Sequence, residues 1–214
     1  MSLVRETLTR IVYLQNILSY ITNKPKKFLS LIHINTSWHE CVMEYSEEVW
    51  MRINMHYKYE GNKLLHILVK NQGPIRMMSI FLCYGMDKEA RNEYNMTPLQ
   101  NACCTGYTEC VKLLLENGAD KDTKNVNNCT PLHNACYHGY PECVKLLLEN
   151  GADKETKNRY GKTPLHFACM YNNSECVKLL LEAGADKELR DDNDRTAQYL
   201  ARKKGHEECV KLFE

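Results

Sequence analysis

The sequence lacks a charge bias. Its 214 residues hold 28 Lys and Arg against 27 Asp and Glu, a formal net charge of +1. The chain as a whole therefore has no general pull on nucleic acid or on a membrane surface. It lacks a long apolar run: no stretch approaches the ~18 residues of a bilayer-spanning helix. It lacks the usual catalytic and nucleotide motifs, with no HExxH, no Gly-x-Ser-x-Gly and no GxGxxG. Gly161-Lys162-Thr163 ends like a phosphate-binding loop, but the glycine needed five residues earlier is Thr156. Asn95-Met96-Thr97, Asn128-Cys129-Thr130 and Asn172-Asn173-Ser174 match glycosylation sequons, the first two only because a recurring Thr follows. Arg5, Glu6 and Arg10 stand where a secretory signal needs an uninterrupted apolar core. The expected location is the cytoplasm, with the nucleus open. No catalytic residue, cofactor or metal is assigned.

Cysteine is abundant, with eleven residues. Cys110, Cys143, Cys176 and Cys209 stand 33 apart, and Cys103, Cys136 and Cys169 repeat the same step. Stacked repeats put equivalent Cα atoms ~8–10 Å apart, beyond the ~7 Å reach of a disulfide. Buried free thiols acting as small hydrophobes are the expectation. His133, Cys136 and His138 lie close enough to suggest zinc. The repeat already accounts for Cys136, however, and no paired CxxC stands beside it.

The period is plain. ECVKLLLENGADK occurs at 109–121 and again at 142–154, and ECVKLLLEAGADK at 175–187. A catalytic constellation gains nothing from such copying, whereas stacking requires it. Thr recurs at 97, 130, 163 and 196, reading TPLQNAC, TPLHNAC, TPLHFAC and a decayed TAQYLAR. Thr97 can cap a helix whose first residue is Pro98, and Gly106 stops it. A second helix is predicted from about Glu109 to Glu116, with Cys110, Val111, Leu114 and Leu115 as its apolar stripe and Gly118 at its end. Histidines in the H of TPLH, His133 and His166, are expected to link neighbouring turns. Hydrophobic residues make up 43% of the chain, enough for a folded body.

The 33-residue period, TPLH, the Gly-Tyr between helices and LLLENGAD resemble the ankyrin repeat. That resemblance covers about 58–214. It implies an all-α fold: an ankyrin-repeat solenoid of helix pairs with β-turn fingers, preceded by a small N-terminal helical domain. The repeats are read as a degenerate 58–91, then 92–124, 125–157 and 158–190, then a truncated cap at 191–214. Asp191, Asp192, Asp194, Arg195, Arg202, Lys203 and Lys204 read as the polar face a terminal repeat needs. Met77, Met78, Ile80 and Phe81 in the first repeat are bulky and apolar, so something is expected to cover them.

Residues 1–57 hold no TPLH and no GAD. NILSYI, a charged break, FLSLIHINTSW and EEVWMRI resemble the F-box. That family docks the adaptor Skp1 and tethers a substrate to a cullin-RING ubiquitin ligase. By position, Ile17, Leu18, Tyr20, Ile21, Leu29, Trp38 and Trp50 would form the core and the adaptor face. The family's Leu-Pro opening is absent, since Thr9-Arg10 stands in its place, and two spacings run long. The alternative is a plain helical cap or a decayed repeat, because His39-Glu40-Cys41-Val42 echoes HEECV. A substrate receptor and a stand-alone scaffold or inhibitor therefore both remain open.

The ankyrin resemblance places a partner on the finger tips and inner helices of a concave face. Its expected contacts are Tyr94, Met96, Lys124, Tyr137, His138, Lys157, Arg159, Tyr160, Lys162, Met170, Tyr171 and Arg190. Finger positions Val126, Asn127, Cys129 and Arg195 belong to the same surface. Over all such positions ten basic residues stand against three acidic ones, an excess of seven positive charges on a near-neutral chain. The ten are Lys70, Arg91, Lys124, Lys157, Arg159, Lys162, Arg190, Arg195, Lys203 and Lys204. Tyr and Arg are enriched at binding hot spots. The expected partner is a protein with an acidic segment, and the protein itself is expected to be a monomer. Nucleic acid is the weaker ligand, because this basic face is narrow and the remaining surface is net acidic.

Overall fold

The computed structural model describes residues 61–70, 72, 75–83 and 85–214. The segment 1–57, with Ile17, Leu18, Tyr20, Ile21, Leu29, Trp38 and Trp50, lies outside the described residues.

Among the described residues the chain forms ten helices in pairs. They are α1 (Gly61–Lys70) and α2 (Ile75–Cys83), α3 (Pro98–Thr105) and α4 (Thr108–Glu116), α5 (Pro131–His138) and α6 (Pro141–Glu149), α7 (Pro164–Met170) and α8 (Ser174–Glu182), and α9 (Ala197–Lys204) and α10 (Glu207–Lys211). None of these residues forms a strand, although an isolated antiparallel bridge joins Arg190 and Thr196. The first helices of successive pairs pack on one another as an inner layer, and the second helices as an outer layer.

The TPLH string builds the inner helix by hydrogen bonding. Thr97 is extended (φ −81°, ψ 164°). Its Oγ1 accepts from the Gln100 N–H at 3.3 Å, and its own N–H donates to Gln100 Oε1 at 3.0 Å. This reciprocal box satisfies two donors that a helix start would leave orphaned. Pro98 fills the first turn, and Gly106 ends the helix in the left-handed region (φ 68°). In the next two repeats histidine replaces the glutamine. Thr130 N–H and Oγ1 meet His133 Nδ1 at 3.1 and 2.9 Å, and His133 Nε2 meets Lys162 O of the following repeat at 3.0 Å. His166 does the same with Thr163 and Arg195 O. A nitrogen facing a carbonyl carries the proton, so Nδ1 is the acceptor. The expected cross-repeat link of TPLH is present.

The core is a ladder of leucines and thiols. Leu99, Leu132, Leu165, Leu114, Leu147 and Leu180 are buried, each contributing ~1.5–3 kcal/mol relative to exposure. Ten cysteines are described, all free; eight are buried, including both ladders. Burial raises the Cys110 and Cys176 thiols to about 12, with neighbouring groups adding to the effect. They behave as the small hydrophobes expected.

Three features depart from expectation. The outer helix begins at Thr108, one residue early, and Leu115 is only half-buried beside fully buried Cys110, Val111 and Leu114. Leu115 sits ~100° round the helix from Leu114, on the flank of the buried stripe. Asp191, expected on a solvated terminal face, has a fully buried side chain. It is held by Arg195 Nη2 at 2.7 Å and by Lys162 Nζ at 3.6 Å. Cys129, expected at a finger tip, is buried, with Asn158 Nδ2 3.7 Å from its Sγ.

The fingers share one device. The N–H groups of Asn92, Asn125, Asn158 and Asp191 donate to the carbonyls of Met96, Cys129, Lys162 and Arg195. Each side-chain Oδ1 accepts from the N–H groups two and four residues on. Such a turn needs a left-handed residue at its fourth position, supplied by Asn95, Asn128, Gly161 and Asp194. Gly161 has a second reason to be glycine: a Cβ there would lie 2.7 Å from the Asp192 backbone nitrogen. The close approach lets the Asp192 N–H donate to Tyr160 O at 3.2 Å, tying the fourth finger to the fifth.

Met78 in α2 is fully buried; the side chains of Met77, Ile80 and Phe81 lie outside the described residues.

Candidate functional site

The fingers and inner helices form one face, and the predicted contacts lie on it to different degrees. Tyr94, Tyr160, Tyr137 and Tyr171 are 60%, 53%, 41% and 41% exposed. Lys124, His138, Lys157, Arg159 and Arg190 are also exposed, while Met96, Lys162 and Met170 are half-buried.

Between the third and fourth repeats the face sinks into a hollow of about 410 Å³. Its walls are Asn125, Asn127, Cys129, Asn134, Tyr137, Asn158, Tyr160, Lys162, Phe167, Met170 and Tyr171. Five predicted residues meet there: Tyr137, Tyr160, Lys162, Met170 and Tyr171. Tyr94, Met96, Lys124, His138, Lys157, Arg159 and Arg190 are not among its walls. Phe167 is the main residue that sequence reading missed. Its signal was present, since the repeats read TPLQNAC, TPLHNAC and TPLHFAC, and only the last puts an aromatic at that place.

The rings touch. Tyr137 and Tyr171 have centroids 4.3 Å apart, and Phe167 lies 6.1 Å from Tyr137 and 6.3 Å from Tyr171. Phe167 also meets His133 edge-on at 5.5 Å. Cations lie over two tyrosine faces: Arg159 and Lys162 over Tyr160 at 5.6 and 5.4 Å, and Lys204 over Tyr171 at 5.4 Å. Each such contact is worth ~0.5–1 kcal/mol where exposed.

The basic face is less free than its residue count implies. Arg195 and Lys162 neutralise Asp191, and Arg190 pairs with Asp194 at 3.2 Å. With both aspartates included, the excess falls from seven positive charges to five. Arg91 Nη1 donates to Lys124 O, Lys157 Nζ to Arg190 O, and Arg159 Nη1 to Asn127 Oδ1. These cations brace neighbouring repeats as well as facing solvent. The Lys124 side chain takes no hydrogen bond or ion pair among the described residues.

The titrating groups of this region have physical reasons for their shifts. Burial holds the His133 imidazole down to about 4, against a smaller opposing effect of its bond to Lys162 O. His166 and His66 are lowered in the same way. For Asp191, burial alone would raise the carboxyl. The hydrogen bonds from Arg195 and from the Asn193 N–H outweigh it and bring the group to about 2. Both nitrogens of His133 are engaged within the fold, which leaves none for the zinc arrangement with Cys136 and His138. No group of three or more metal-ligating side chains occurs among the described residues.

The family described as "Ankyrin repeats (3 copies)" matches residues 29–125, 65–158, 119–191 and 155–213. The chain belongs to the ankyrin-repeat family. The ankyrin repeats indicate a protein–protein interaction module. The first ankyrin match begins at residue 29, inside the segment that resembles an F-box. No curated protein matches the chain. Among the described residues no helix is long and apolar enough to cross a membrane.

Proposed function

We propose that the finger and inner-helix face of the third and fourth repeats grips an acidic segment of a partner protein, as a non-enzymatic module. The observation that carries this reading is the hollow, where exposed tyrosines, Phe167 and Met170 supply area beside Lys162. Arg159, Lys124 and Lys157 stand on the same face and would set the polarity and association rate of an acidic partner. Random peptides displayed against the immobilised protein test the reading. Sequences rich in Asp and Glu are expected to be enriched, and selection of neutral or basic peptides would overturn it.

The F-box resemblance extends the proposal: Ile17, Leu18, Tyr20, Ile21, Leu29, Trp38 and Trp50 would dock Skp1, making the gripped protein a ubiquitin-ligase target. The other reading, a scaffold or inhibitor whose N-terminal helices only cap the repeats, is supported by the ankyrin match that starts at residue 29. Co-purification with Skp1 at micromolar concentration decides between them. If binding occurs, Leu18→Asp is expected to abolish it, since a charge placed in an apolar contact is left unpaired. Absence of wild-type binding removes the ubiquitin link and leaves the acidic-segment reading intact.

A further inference from the structure

We infer that the hollow between the third and fourth repeats takes one aromatic or large aliphatic side chain of the partner, flanked by carboxylates, and excludes basic side chains. This rests on the reading that the finger and inner-helix face meets a protein.

The walls decide the anchor. Tyr137, Phe167, Met170 and Tyr171 present rings and a thioether, surfaces that favour apolar and aromatic contact. A volume of about 410 Å³ falls within the ~300–1,000 Å³ of small-ligand sites, enough for a large side chain with some of its backbone. The feature is local. At the place of Phe167 the two preceding repeats carry Asn101 and Asn134, and Tyr171 stacks 6.3 Å from the phenylalanine ring.

Charge decides the flanks. A cage of tyrosines can hold a cation, but here the protein's own cations lie over two of the rings. No residue lining the hollow is acidic. The nearby buried carboxylate, Asp191, is bonded to Arg195 and paired with Lys162. Inside the hollow a basic ligand would therefore meet like charge with no lining anion to offset it; the exposed Asp192 stands outside it on the next finger, and a carboxylate at the rim would meet Arg159. The wall also holds hydrogen-bonding capacity that the fold leaves unused, because Asn134 Nδ2 is buried without a partner.

The test is display of random twelve-residue peptides on the intact protein and on two variants, Phe167→Asn and Arg159→Glu. Asn is what the neighbouring repeats carry at the first position, so that variant is expected to fold; matched thermal unfolding verifies it. Wild type is expected to select peptides with one Phe, Trp, Tyr or Leu within two residues of Asp or Glu. The best peptide is expected to bind Phe167→Asn about tenfold more weakly, the loss of one hot-spot contact. Selection on that variant is expected to keep its acidic bias and lose the anchor. Selection on Arg159→Glu is expected to keep the anchor and lose acid. Acidic peptides without an anchor on wild type would overturn this inference and leave the face reading standing. Basic anchored peptides, or no selection above a blank surface, would overturn both.

Discussion

The outer helices and the fingers of the same repeats follow opposite rules. TECVKLLLE, PECVKLLLE and SECVKLLLE in α4, α6 and α8 differ at one position. The fingers that precede them carry Glu93-Tyr94, Val126-Asn127 and Arg159-Tyr160. Burial accounts for part of the contrast. Each outer helix buries the same Cys, Val and Leu in the stack, so the same residues solve a similar packing problem. A finger needs only its Asn or Asp and one left-handed residue, which leaves its tip free to vary. Nothing in the structure explains why the exposed Lys112, Lys145 and Lys178 are also identical. Repetition marks most of what packs the stack together, and the departures from it fall on the face proposed to meet a partner.

The largest effect should come from the repeated part. Leu147→Ala, in the fully buried centre of α6, is expected to cost ~2–5 kcal/mol, measured by urea unfolding of the intact chain. An effect under about 1 kcal/mol would mean that the outer layer is not a packed core.

The second effect uses a natural variation within the repeats. Unfolded His133 titrates near 6.5, whereas the folded protein holds it neutral to about 4, chiefly through burial. The folded state binds fewer protons between those values. Its stability is therefore full above pH 6.5 and falls as pH drops toward 4, by about 3 kcal/mol for this residue. His166 and His66 act in the same direction. Gln100 fills the equivalent place with a side chain that does not titrate, its Nε2 donating to Cys129 O at 2.8 Å. His133→Gln is expected to fold and to lose its share of the acid sensitivity. Denaturant titration at pH 7 and pH 4.5 reads the difference, and an unchanged pH dependence would place the sensitivity elsewhere.

A smaller effect is expected at the turn. Gly161→Ala puts a Cβ where φ is +68° and against the Asp192 backbone, so a loss of roughly 1 kcal/mol or more is expected by thermal unfolding. At the other end of the scale, Lys112→Glu on the outer face should change stability by no more than ~0.5 kcal/mol, because its pairing with Glu116 at 4.0 Å is exposed.

The fold is legible in the sequence because its signals are local and repeated. Thr, Pro and Gly stand at helix boundaries where capping demands them, and the 33-residue step counts the units. The finger device is present as Asn92, Asn125 and Asn158 at the same step, but polar residues in loops do not announce their hydrogen bonds. Asp191 misleads because charge reads as exposure unless its partners are known, and Arg195 and Lys162 reach it from two different repeats. The hollow is half legible. Tyr137, Tyr160, Lys162, Met170 and Tyr171 follow from their positions, while Phe167 escapes because the equivalent Asn101 and Asn134 mark its place as an ordinary polar one. Convergence across repeats is a property of stacking, which no single repeat displays.

Binding is expected on the varied face and not on the repeated one. The most direct test compares two variants with the same charge change: Lys124→Glu, Lys157→Glu and Arg159→Glu on the fingers and their flanks, and Lys112→Glu, Lys145→Glu and Lys178→Glu on the outer helices. Affinity for an acidic peptide selected on the wild-type protein is the readout, at matched thermal stability. The first variant is expected to lose binding by at least about tenfold and the second to bind as wild type does. Equal losses in both, or a loss confined to the outer variant, would contradict it.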